Sequence, residues 1–101
     1  MAEGGRREEL DAKIARWERE LEGLRVALAN ASDALNARHH STFVELYRLK
    51  EVAKSRWEAI RGVYGPDPDA VQRCEDALAA MDAAWRQAEA MLAEVVPRQA
   101  A

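Results

Sequence analysis

The feature that most constrains this chain is a stripe of apolar residues spaced alternately four and three positions apart. That spacing averages about 3.5 residues, the repeat that keeps one side of an α-helix against a partner helix. A stripe of this kind joins helices and carries no chemistry of its own. We call it the first stripe, and its members are Leu10, Ile14, Trp17, Leu21, Leu24, Leu28, Ala31 and Leu35.

The composition is typical of a small helical domain. A chain of 101 residues forms one domain with a modest core, and it is too short to hold a cofactor domain beside a substrate domain. Only 5 Gly and 3 Pro are present and 33% of the residues are charged, as in long helices and coiled coils. We therefore expect a single all-α domain over residues 1–101, without β-structure.

Strong punctuation occurs at one place, the sequence Gly65-Pro66-Asp67-Pro68. Gly65 suits the positive φ that follows a helix end, and Asp67 suits the N-cap of a helix that begins at Pro68. These signals predict a turn at 65–67. Around it we expect a disordered leader over 1–5, a long helix over 6–64, a second helix over 68–96 and a tail over 97–101.

One stretch of the long helix is rich in poor helix formers. Residues 30–42 include Asn, Ser, Asp, His and Thr side chains, each roughly 0.5 kcal/mol less favourable than Ala in a helix. Thr42 and Glu45 form a capping box at which a new helix could begin, which places a possible break near 36–42. However, the stretch contains no Gly or Pro, and the apolar spacing continues in phase from Leu35 to Leu46.

Two architectures satisfy these patterns. In the first, which we favour, the chain forms an antiparallel helical hairpin around the turn at 65–67. The uncovered first half of its long first helix then pairs with a second copy in a coiled-coil dimer. In the alternative, the chain bends near 36–42 and folds into a monomeric three-helix bundle. Either way, the hairpin would bring Ile60 towards Cys74.

Charges beside the apolar positions favour the dimer. In a parallel coiled coil the first stripe would place Lys13 opposite Glu18 and Glu20 opposite Arg25 of the partner copy. The hairpin also joins opposite charges. Residues 36–64 carry 6 basic and 3 acidic side chains, a net +3, and residues 65–101 carry 3 basic and 7 acidic side chains, a net −4.

His39 and His40 are the candidate metal ligands of the chain. Imidazole binds zinc, nickel and copper, but adjacent helical residues point about 100° apart and cannot easily hold one ion together. The structural interpretation, with His39 as a polar layer in the core and His40 in solvent, is preferred. We therefore assign no metal and no other cofactor.

Lys50, Lys54, Trp57 and Arg61 fall on one helical face and could bind an anion or a single-stranded nucleic acid. An acidic row on the last helix (Glu75, Asp82 and Glu89) offers these cations an internal partner, so we prefer the structural interpretation. Trp17 and Trp57 are candidate interface anchors. Trp85 lies on the apolar stripe of the last helix, where we expect it to be buried.

Cys74 also lies on that last apolar stripe, where a free thiol behaves as a small hydrophobic side chain. One cysteine cannot form an internal disulfide, which favours the cytoplasm, and no apolar run is long enough to cross a membrane. No phosphate loop, nucleophile motif or paired carboxylate suggests an enzyme or a small-molecule substrate.

We therefore expect a non-enzymatic protein–protein interaction module, such as an adaptor, chaperone or assembly subunit. Its partners would be a second copy in a homodimer and a further, unidentified protein. The alternative is a nucleic-acid-binding accessory protein that uses the basic middle segment. The predicted protein interface consists of Leu10, Ile14, Trp17, Leu21, Leu24, Leu28 and Leu35.

Overall fold

The computed structural model describes the backbone of residues 2–95 and the side chains of residues 7–95. It contains three α-helices: α1 (Ala2–Ala29), α2 (Asp33–Ile60) and α3 (Pro68–Leu92). They pack against one another as a three-helix bundle with extents of 48 × 29 × 20 Å. No strand occurs among residues 2–95. The all-α prediction is therefore confirmed, and a single chain has the three-helix arrangement that the sequence analysis held as its alternative.

The long first helix predicted over 6–64 is wrong, because the chain breaks at residues 30–32, which we call the link. Ser32 is the N-cap of α2, and its hydroxyl accepts a hydrogen bond from the backbone N–H of Leu35 at 3.2 Å. The side-chain amide of Asn36 donates to the carbonyl O of Leu28 at 2.9 Å, satisfying a carbonyl at the end of α1. The break expected near 36–42 therefore lies closer to the N-terminus, and α2 runs through those residues without interruption.

Helix α1 begins earlier than the sequence predicted. Its helical backbone starts at Ala2, so residues 2–5, predicted to be a leader, belong to the helix. The guanidinium of Arg7 donates to the carbonyl O of Val63, which ties this end of α1 to the connection between α2 and α3. The tail predicted at 97–101 lies outside the described residues.

The connection between α2 and α3 confirms the turn predicted at 65–67. Gly62 and Gly65 adopt φ values of 77° and 66°, which suit glycine, and Tyr64 between them is fully exposed. The carboxylate of Asp67 accepts from the backbone N–H of Asp69 at 3.1 Å, and Pro68 opens α3 as expected. The connection is longer than predicted, since α2 ends at Ile60 rather than at residue 64. At its other end, α3 stops at Leu92 rather than at residue 96.

The earlier end of α2 changes the register of the hairpin. Ile60 and Pro68 become the facing ends of the two helices, and the Sγ of Cys74 lies 4.0 Å from the carbonyl O of Ala53. The expected position of Cys74 opposite Ile60 is therefore wrong by about two helical turns.

The core forms where the apolar stripes of the three helices meet. Fully burying a Leu, Ile or Met side chain contributes about 1.5–3 kcal/mol, so this cluster is the main favourable term in folding. The buried apolar residues are Leu10, Ile14, Trp17, Leu21, Leu24, Leu28, Leu46, Ala53, Trp57, Ile60, Cys74, Leu78, Met81, Ala88, Leu92 and Val95.

No described helix is both long enough and apolar enough to span a membrane.

Replacing Leu24 tests this core directly. Leu24 is 1% exposed, and Leu24→Ala is expected to lower the free energy of unfolding by about 2–5 kcal/mol because it leaves a cavity. Val26 on the same helix is 44% exposed, so Val26→Ala should change that free energy by no more than ~0.5 kcal/mol. Urea unfolding followed by circular dichroism measures both, and equal losses for the two variants would contradict the assignment of the buried face of α1.

Candidate functional site

The predicted interface residues of the first stripe are buried within the single chain. Their exposed fractions run from 1% at Leu24 to 5% at Leu28, and Leu35, which belongs to α2, is half-buried. We call this arrangement, in which α1 packs on the α2–α3 hairpin of its own chain, the closed chain. In it, α2 and α3 cover the stripe that the sequence analysis assigned to a second copy. A surface for self-association through this stripe exists only where α1 leaves its own hairpin.

Trp17 connects α1 with α3. The centroids of its ring and the Trp85 ring lie 5.4 Å apart at an interplanar angle of 54°, a tilted geometry that aromatic pairs favour. The guanidinium of Arg16 lies over the Trp17 ring, 4.8 Å from its centroid, in a cation–π contact. Trp17 and Trp57 are core residues rather than exposed anchors, and Trp85, expected to be buried, is only half-buried.

The charges beside the first stripe pair differently from the parallel dimer predicted above. Glu18 accepts from the ammonium of Lys54 at 3.3 Å, a contact between antiparallel helices that also raises the pKa of Lys54 above its ordinary value. Arg25 donates to Glu22 one turn earlier on the same helix, with Nε and Oε2 3.0 Å apart. Such exposed pairs contribute little to stability, and the first joins α1 to α2 in their antiparallel arrangement.

The four residues of the predicted basic patch do not share one exposed face. Lys50 is 6% exposed, with its ammonium 4.2 Å from the ring centroid of Tyr47 and 3.6 Å from a carboxylate oxygen of Glu51. Trp57 lies in the core, Lys54 is half-buried, and Arg61, the C-cap of α2, is exposed. Together with the ion pair of Lys54, this arrangement holds two of the three cations in contacts within the chain.

The acidic row was expected to neutralise those cations from α3, and the structure gives Lys54 a different partner. Glu18 reaches it from α1, whereas Asp82 accepts from Arg86 one turn along its own helix at 3.1 Å. The charge asymmetry between residues 36–64 and 65–101 is therefore not what places Lys54 in the bundle.

His39 forms the polar layer that the sequence analysis preferred. It is 1% exposed, and its Nε2 lies 3.0 Å from a carboxylate oxygen of Glu94, which also accepts from Arg38 at 3.1 Å. The Nδ1 atom of His39 is buried without a hydrogen-bond partner, whereas His40 is exposed. No group of three or more potential metal ligands occurs among the residues that the structure describes.

Glu94 is a residue that sequence reasoning missed. The hydrogen bonds from His39 and then Arg38 lower the pKa of its carboxyl below the ordinary value. Glu94 lies just beyond the end of α3, in a turn that the sequence analysis counted as helix. An acidic residue near the predicted helix end was the only available signal, and it did not indicate His39 as the partner.

Cys74 is a free, fully buried thiol in the core. Burial raises its pKa, and the neighbouring carboxylate of Glu75 raises it further. A raised pKa lowers the fraction of reactive thiolate, so the side chain acts as a packing group.

A shallow groove lies between α2 and α3, and no described residue of α1 lines it. Its volume is about 330 Å³, with Leu46, Ala84 and Ala88 among its walls. Met91 at its edge is 42% exposed. Apart from the carboxylate of Glu45, which is engaged by Arg48, its lining offers hydroxyl, amide and apolar contact.

Neither a family model, nor a curated protein, nor a solved structure matches this chain. Similarity to other proteins therefore assigns no role to it.

The pairing of Glu94 with His39 and Arg38 predicts a stability difference that depends on pH. A carboxyl whose pKa is lowered by folding stabilises the native state above its unfolded value of about 4.5, and that contribution is lost as the pH falls through the lower folded value. Wild type should therefore lose more stability than Glu94→Gln between pH 5 and pH 3, as measured by urea unfolding. Equal losses of stability in wild type and Glu94→Gln would contradict the contact of Glu94 with His39 and Arg38. Glu89→Gln is the control and should lose as much stability as wild type over this range.

Burial of Cys74 predicts slow labelling by thiol reagents. In native protein, Cys74 should react with a disulfide reagent more slowly than in urea by a factor on the order of 100 or more, because the thiol is reached only through local opening. The matched control is Cys74→Ala with Val44→Cys, since Val44 is 49% exposed. Equal native rates for the two thiols would show that Cys74 is accessible.

Proposed function

We propose that the protein is a non-enzymatic interaction module that acts by presenting helix faces to other polypeptides, as an adaptor, chaperone or assembly subunit does. Its first partner in this proposal is a second copy of itself, bound along the first stripe. The proposed surface consists of the α1 members of that stripe, which the closed chain covers with its own α2 and α3.

The continuity of the apolar pattern across the link carries this proposal. Leu28 before the link and Leu46 after it are both buried and stand 18 residues apart, which is five turns at 3.6 residues per turn. The core-facing sides of α1 and α2 would therefore coincide if the two helices were one. A chain that only needed to fold back on itself would not require this phase, whereas pairing along one extended edge does.

The chemistry of the ionisable groups supports a non-enzymatic role. His39 is enclosed beside Glu94, and the Cys74 thiol has a raised pKa and no described imidazole beside it. Both of these side chains thus have structural environments. A free buried cysteine also suits the cytoplasm, the compartment that we propose.

Nucleic-acid binding by the basic middle segment receives less support. Lys50 is enclosed near Tyr47, and Lys54 is paired with Glu18. Binding to phosphates would require both ammonium groups to leave these partners, and the chain carries a formal net charge of −3.

Molar mass in solution tests the self-association. Light scattering over a wide range of concentrations is expected to show a species of twice the 11.3 kDa of one chain, with a fraction that rises with concentration. Met91→Glu, placed in the α2–α3 groove, should leave this behaviour unchanged because that groove is not the proposed surface. The protein is refolded from urea at each concentration before the measurement. A mass of one chain at every concentration would then overturn the homodimer, and loss of the dimer in the Met91→Glu variant would move the interface to the groove.

A further inference from the structure

We propose that two copies associate by exchanging α1. The link straightens, α2 continues into α1 as one helix, and the α1 of each chain occupies the position on its partner's α2–α3 hairpin that it occupies on its own in the closed chain. This inference rests on the proposed self-association and specifies its geometry.

The conformation of the link makes the backbone change within it small. The link contains neither Gly nor Pro, and among the described residues only Gly62 and Gly65, in the other connection, have positive φ. Ser32 has φ −62° and ψ 157°, so its φ is already that of a helix and a rotation about ψ brings it into the helical region. A connection of only three residues favours exchange, because straightening it joins the two helices into one and leaves no loop to be closed.

The phase of the apolar positions supplies the second step. In a straightened chain the buried sides of α1 and α2 face the same way, as the spacing of Leu28 and Leu46 requires. Two such helices can therefore lie antiparallel along one continuous apolar edge, with α1 of each copy against α2 of the other. That orientation is the one in which Glu18 and Lys54 meet in the closed chain.

The contacts of the closed chain then recur between copies. Trp17 meets the partner's Trp85, Glu18 meets the partner's Lys54, and Arg7 meets the partner's Val63, because the docking site of α1 is unchanged. The exchanged form loses the Ser32 cap and the bond from Asn36 to Leu28. In return, the link gains helical hydrogen bonds, and the half-buried Leu35 of each copy comes to lie near the two-fold axis, where it can be covered further.

The burial of the first stripe sets the rate of the rearrangement. Detaching α1 exposes its leucines and Trp17 to water, so the closed and exchanged forms should interconvert slowly. Refolding from urea at high concentration therefore prepares the exchanged form more effectively than concentrating folded monomer.

The exchanged form is also much longer than the closed chain. A continuous helix from Ala2 to Ile60 would be about 90 Å long at 1.5 Å per residue, well beyond the 48 Å extent of the closed chain.

A cross-link between α1 and α2 distinguishes exchange from contact between closed chains. In a Cys74→Ala background, Glu18→Cys and Lys54→Cys place thiols at an exposed contact, and a bismaleimide joins them after refolding at high concentration. We expect covalent dimers on a denaturing gel. A sample that light scattering shows to be dimeric but that gives only internally linked single chains would overturn the exchange while leaving self-association in place.

Variants of the link provide an independent test. Asp33 is the first residue of α2 and follows the extended Ser32, so Asp33→Pro fits the closed chain but would clash within a continuous helix. Relative to the matched control Asp33→Ala, it should weaken dimerisation by roughly 100-fold or more. Ser32→Ala with Asn36→Ala, which removes both bonds of the folded-back link, should strengthen dimerisation.

The outcomes separate the two proposals. Equal dimerisation of Asp33→Pro and Asp33→Ala would exclude a straightened link and overturn the exchange, although a dimer exists. A single-chain mass for wild type and for the Ser32→Ala, Asn36→Ala variant, even after refolding at high concentration, would overturn both self-association and exchange.

Discussion

The apolar side of α1 must be buried against other apolar groups, and the rest of this structure depends on that constraint. Its leucines, Ile14 and Trp17 form a narrow row between charged residues, and a helix of this kind is stable in water only when that row contacts other apolar groups. The link, the Glu18–Lys54 pair and the Trp17–Trp85 contact each hold α1 against the hairpin. The hairpin needs the same contact, because its own stripes would otherwise be open on one side.

The two connections show which parts of the fold a sequence can reveal. The turn before α3 was predictable because its signals are local: Gly65 needs a positive φ, and Asp67 and Pro68 suit the start of a helix whatever lies around them. The link has no such residues. Ser32 lacks a Glu or Gln three positions later, so the capping box at Thr42 looked stronger. The break is instead stabilised by Asn36, whose amide reaches Leu28 only once the chain has folded back.

The same distinction explains what could be predicted of the candidate site. Spacing alone identified the buried side of α1 and the burial of His39, because both depend on helical periodicity. Partners could not be predicted, since Lys54 meets Glu18 and His39 meets Glu94 through contacts between segments far apart in sequence. The heptad charges that indicated a parallel dimer are equally compatible with pairing inside one chain, and only the direction of α1 relative to α2 decides between them.

The connection between α2 and α3 has a different character from the rest of the bundle. Tyr64 projects fully into solvent between two glycines. Arg7 contacts the connection at Val63, before this tip, and hydrogen bonds at Cys74 and His39 join α2 to α3 and its C-terminal turn elsewhere. Backbone at such a place tolerates extra residues, since lengthening an exposed loop costs little entropy. A peptide tag, a fluorescent domain or an evolutionary insertion could therefore be accommodated at this tip while the three helices keep their packing.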